Sequence, residues 1–103
     1  MKMKMSLVSI ALMLAAPVAF GDAAAVYTKN CASCHAKDGT GNTVMGKKSK
    51  VQDYTDAKVQ ASFTDAEALK VILEGKDKMK GYKDKITAEE AAEQVKYIRA
   101  FKK

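Results

Sequence analysis

Cys31-Ala32-Ser33-Cys34-His35 is the stretch that decides how this chain folds. Its spacing, C-x-x-C-H, is the pattern of covalent haem attachment. Two thiols set this way reach the two vinyl groups on one edge of a porphyrin and form thioethers. The histidine directly after the second thiol is then held beneath the iron and binds it through a ring nitrogen. Its other ring nitrogen needs an acceptor, because partners outside the ligand set orient such a ring. Cys31, Cys34 and His35 are the expected haem-holding residues, and one covalent haem c is the expected cofactor.

Other chemistries use the same residue types. An oxidising compartment permits a disulfide, and thiol oxidoreductases carry C-x-x-C. Those enzymes set the motif in a β-α-β unit, and no segment here shows the sustained alternation of a strand. A structural zinc site takes four protein ligands. This chain has two cysteines and one histidine. Haem is the reading these counts favour.

With His35 the only histidine, a second imidazole on the iron is impossible within one chain. A methionine sulfur is the soft alternative, and the His/Met combination raises the reduction potential. Beyond the N-terminal stretch only Met45 and Met79 remain. A methionine in a small core is more often a gap-filler. Met79 stands between Gly75 and Gly81, far enough along the chain to reach the opposite face of the haem. Met45 follows His35 closely and is expected to pack near the porphyrin. Met79 is the expected second axial ligand, with Met45 the alternative.

Outward from the motif the chain reads as helix and loop. One helix is expected from Asp22, a good N-cap, to Asn30, with Val26 and Tyr27 as its larger apolar side chains. A second begins at Thr64, which stands at capping-box spacing from Glu67, and carries Leu69, Ile72 and Leu73; Gly75 is expected as its left-handed cap. A third begins at Thr87, paired in the same way with Glu90, and repeats Ala91, Val95, Ile98 and Phe101 at helical spacing. Lys102 and Lys103 close it with positive charge at the negative end of its dipole. Residues 37–52 and 75–85 read as polar loops with little to fold against alone.

The N-terminus carries Lys2 and Lys4, then an apolar run over residues 7–16, Pro17 and the small-residue exit Ala19-Phe20-Gly21. That order describes a secretory signal peptide over residues 1–21, leaving a domain over 22–103 and a periplasmic location. A membrane span needs about 20 apolar residues, more than this run offers, so no stable membrane insertion is expected after cleavage. Losing the two lysines leaves 16 basic against 12 acidic residues, and the formal charge falls from +6 to +4. The lysines are scattered among acids, unlike the dense basic stripe of a nucleic-acid binder. A domain this small buries only about 60% of its unfolded surface, so a bound group is expected to complete the core.

Taken with Ala36-Lys37-Asp38-Gly39-Thr40-Gly41, Met79-Lys80-Gly81-Tyr82 and Tyr97-Ile98-Arg99-Ala100-Phe101, the haem motif makes the chain resemble a class I c-type cytochrome in its short bacterial monohaem form. The resemblance covers nearly all of residues 22–103. It implies an all-α fold of three main helices and loops wrapped around one haem. In that fold the N- and C-terminal helices cross, here through Ala25 or Val26 with Tyr27 against Tyr97 and Ile98. It implies a soluble, monomeric carrier of single electrons, not an enzyme, that meets redox partner proteins bearing acidic docking surfaces. Lys37, Lys47, Lys48, Lys78 and Lys80 are then candidates for the docking ring. One departure stands out: the family's proline, whose carbonyl accepts the proximal histidine's proton, is missing after the motif. A backbone carbonyl of Asn42, Thr43 or Val44 is expected instead, and Tyr54 is expected to support the propionates in a domain without tryptophan. Competing functions are a haem enzyme or gas sensor with an open sixth iron position, and a thiol oxidoreductase.

Overall fold

The computed structural model describes residues 20–103. The first nineteen residues of the expected leader lie outside that range. The described chain folds as six helices and one minimal hairpin: α1 (Phe20–Asn30), α2 (Ala32–His35), α3 (Val44–Ser49), α4 (Ala57–Ala61), α5 (Asp65–Glu74), β1 (Gly75–Lys76), β2 (Met79–Lys80) and α6 (Ala88–Arg99). The three main helices and the all-α class are as expected; three short helices and the hairpin are additions.

Helix α1 starts at Phe20, so Asp22 stands in its first turn and not at its cap. It turns Ala23 and Tyr27, four apart, onto the core, at 2% and 1% exposure. Ala25 faces solvent, while Val26 is half-buried and packs against the core, so of the two expected partners of Tyr27 it is Val26 that takes part. Helix α6 meets this face with Ala91, Val95 and Ile98, all buried. Beside them the rings of Tyr27, Tyr97 and Phe101 form a triangle with centroids 4.9 to 5.4 Å apart. Tilted and edge-on rings at such spacings add about 0.5–1.5 kcal/mol per pair beyond their burial.

Both capping boxes form. Thr64 accepts from the Glu67 amide and Thr87 from the Glu90 amide, while each glutamate reaches back to the amide of its threonine. Helix α5 thereby points Ala68 and Ile72 inward against α6. Helix α6 ends at Arg99, so Lys96 and Arg99 supply the last-turn charge and Lys102 and Lys103 lie beyond it. Arg99 ties α6 to the start of α5 and to the segment before it. It donates to Asp65 Oδ1 and the Phe63 carbonyl, both at 2.8 Å, and its guanidinium lies 4.3 Å from the Phe63 ring centre. Buried Gln60 on α4 donates to the Tyr54 and Ile98 carbonyls at 2.7 and 2.8 Å.

The expected loop 37–52 contains α3, whose cap Thr43 accepts from the Gly46 amide at 2.7 Å. Strands β1 and β2 pair antiparallel, Gly75 opposite Lys80 and Lys76 opposite Met79. At two residues each they are too short to carry any alternation. Gly75 closes α5 at φ +86° and ψ 167°, an extended mirror region open essentially to glycine alone and not the left-handed cap expected.

Candidate functional site

One helical turn builds the centre of the site. The His35 amide donates to the Cys31 carbonyl at 3.0 Å and the Ala36 amide to Ala32 at 2.9 Å. Residues three apart on a helix share a face, so Cys31 and Cys34 fall on one side of α2 with His35 next to the second. The two cysteines are not joined to each other. Burial, helped by the nearby Cys34, pushes the Cys31 thiol up to about 11. A redox-active cysteine needs its pKa lowered, so this environment opposes the thiol oxidoreductase reading. No group of three or more potential ligands among the described residues is arranged to hold a bare metal ion, which removes the zinc alternative.

Beside this turn lies a cavity of about 490 Å³, walled by Cys31, His35, Tyr54, Phe63, Ile72 and Met79 among others. That volume falls in the range of about 300–1,000 Å³ typical of cofactor sites. His35 and Met79 both reach this cavity from segments far apart in sequence. Cys34 is half-buried and outside the lining. Met45, on α3, is 49% exposed and takes no part in the wall. The five candidate docking lysines are all exposed.

Burial lowers the His35 pKa, keeping the imidazole neutral with a lone pair free. Its Nδ1 is buried and has no hydrogen-bond partner among the described residues. The expected carbonyl from residues 42–44 does not supply one, because that loop binds the motif's backbone instead. Thr43 Oγ1 donates to the Cys34 carbonyl at 2.9 Å, and the Gly41 amide donates to the His35 carbonyl at 2.9 Å. The ring itself lies beside Tyr54, centroids 5.3 Å apart at 26°. An uncommitted neutral imidazole, the Cys31 sulfur and a thioether line one largely apolar cavity, with Cys34 three residues on from Cys31, and together they fit a covalent haem.

The hairpin places Met79 through its backbone. A Cβ on Gly75 would meet the Gly81 nitrogen and the Met79 carbonyl oxygen at 2.7 Å. Tyr82 and Lys83 then donate to the Ile72 and Leu73 carbonyls at 2.9 and 3.1 Å, folding the loop back on α5. Phe63, Gln52 and Gln94 also line the cavity and were not singled out in the sequence. Only their apolar or amide character marks them, and many residues share it.

A family model described as cytochrome C oxidase, cbb3-type, subunit III, matches residues 19–98. The solved structure of the KustC0563 c-type cytochrome is similar at 33% identity and a TM-score of 0.74, covering 79% of this chain and 98% of that one. A solved mutant of Kustc0563 matches at 32% identity and a TM-score of 0.72, covering 79% and 99%. No curated protein sequence matches.

Proposed function

The chain belongs to the cbb3-type cytochrome c oxidase subunit III family and is a monohaem class I c-type cytochrome with one covalent haem c, and on that premise we propose that it carries single electrons between redox partner proteins. When bound, the haem supplies a one-electron ferric/ferrous couple; the protein's part is attachment, ligation, shielding and docking.

Cys31 and Cys34 hold the group through thioethers. His35 and Met79 are the axial ligands in this reading. The observation that carries it is their meeting in one cavity wall while Met45 is exposed. With both axial positions filled from the protein, no site is left for substrate, which distinguishes a carrier from a haem enzyme or gas sensor. Apolar side chains such as Ile72, Val71 and Phe63 line the same cavity and would shield a bound haem from water. Lys37, Lys47, Lys48, Lys78 and Lys80 favour encounter with acidic partner surfaces, an attraction that weakens as salt rises. The Lys2 and Lys4 end, with its apolar run and small-residue exit, supports cleavage after Gly21 and a periplasmic location for a monomeric domain over 22–103.

The test is a set of three measurements on protein matured in a haem-attaching host. Mass spectrometry should show one added haem. The ferric spectrum should carry the near-infrared charge-transfer band of sulfur ligation. Redox titration should follow a single one-electron step. A five-coordinate spectrum with rapid ligand uptake would move the reading to an open-iron enzyme or sensor.

A further inference from the structure

Ala36, the residue directly after His35, sits at φ +69° and ψ 155°. That region, roughly φ +60 to +180° with ψ near ±150–180°, is essentially reserved for glycine. An alanine persists there only if its surroundings over-determine it. Here they do. Its carbonyl accepts the phenolic O–H of Tyr27 at 2.7 Å and the Gly39 amide at 3.1 Å. Tyr27 is 1% exposed and boxed by Tyr97 and Phe101, so its hydroxyl has no freedom to wander.

His35 lacks the usual means of orientation, since no acceptor among the described residues meets its buried Nδ1. Its direction must then be set largely through its backbone. Three successive carbonyls are held: Cys34 by Thr43, His35 by Gly41, Ala36 by Tyr27 and Gly39. Of these contacts, only the one from Tyr27 comes from another long helix. We propose that Tyr27 is a positioning residue for the axial histidine: its phenol clamps the Ala36 carbonyl, holds that alanine in a glycine-like conformation, and so fixes the angle at which His35 enters the haem cavity. The inference rests on His35 being an iron ligand.

The experiment uses the full chain with haem attached, with Tyr27→Phe, Ala36→Gly and the double variant. Haem mass and the wild-type spectrum check the ligand reading separately, so failure of the clamp is distinguishable from failure of that reading. Phenylalanine keeps the ring among its neighbours and removes only the hydroxyl. The proposal expects the hyperfine-shifted NMR signals of the His35 ring, and the midpoint potential, to move in Tyr27→Phe. Both should return towards wild type in the double variant, because glycine adopts that conformation without strain. Ala36→Gly alone should leave them unchanged. A Tyr27→Phe protein that loses stability while the His35 signals and the potential stay put would overturn the clamp, as would a double variant that fails to restore them. If Tyr27→Phe does not mature, haem attachment in the double variant supports the clamp and its absence there counts against it.

Discussion

The side-chain amide of Gln94 donates to the carbonyl of Ala23 at 2.9 Å, across the crossing of α6 and α1 and out of reach of water. The same side chain faces Cys31, whose sulfur lies 4.0 Å from Oε1. A buried polar group thus joins the two long helices at the wall of the cavity. Replacing it tests the crossing directly. Gln94→Leu should cost about 1–3 kcal/mol by leaving the Ala23 carbonyl without its second partner. Gln94→Glu should cost more at neutral pH, since a carboxylate only accepts and would face another acceptor. That excess should shrink in acid, where the introduced carboxyl is protonated and can donate. Denaturant unfolding at two pH values reads both effects.

The two methionines make opposite predictions. Met79 lines the cavity and Met45 is half-exposed on α3. Met79→Ala should abolish the sulfur charge-transfer band, lower the midpoint potential and open the iron to added ligands. Met45→Ala should leave band and potential near wild type, with a stability change within about 0.5 kcal/mol, as for other surface substitutions. Loss of the band in Met45→Ala would reverse the assignment.

Much of this was legible because the signals were local. Capping boxes at Thr64 and Thr87 involve residues three apart, and both formed as read. The haem motif is five consecutive residues. What escaped reading depends on distant partners. Ala25 and Ala23 are indistinguishable in sequence, and only the rotation of α1 against α6 selects Ala23. Gln94 and Gln60 look like surface residues until the carbonyls they serve, 71 and 38 positions away, are brought to them. The missing acceptor for His35 was invisible for the same reason. Thr43 stands at the expected distance along the chain but turns its hydroxyl to Cys34.

Gly75 connects the fold to the ligand loop. At φ +86° an added Cβ would press on the Gly81 nitrogen and the Met79 carbonyl. Gly75→Ala should therefore destabilise the protein by roughly 1–3 kcal/mol. The damage should concentrate in the hairpin. Exogenous imidazole, which competes with the sulfur, should bind this variant more tightly than wild type while the far-UV spectrum of α1 and α6 persists. Unchanged imidazole affinity would show that β1 does not hold Met79 in place.

Tyr27 gives the chain a definite response to alkali. Burial, with smaller contributions from neighbouring ionisable groups such as Cys31, raises its phenol well above the usual tyrosine range. Below about pH 10, the ordinary tyrosine value, the residue is neutral in both folded and unfolded chains and its full contribution is present. Above that, the unfolded phenol ionises while the folded one keeps its proton. The unfolded state then gains relative to the native state, by up to about 1.4 kcal/mol per pH unit. Tyr54, also raised chiefly by burial, adds to the same trend. The phenols' contribution to stability should thus be flat up to about pH 10 and decline above it, with phenolate absorbance appearing together with loss of helix. Tyr27→Phe lowers stability at neutral pH by removing the bond to Ala36, yet its decline in alkali should be shallower than wild type. Parallel declines for the two proteins would mean that another group governs alkaline unfolding.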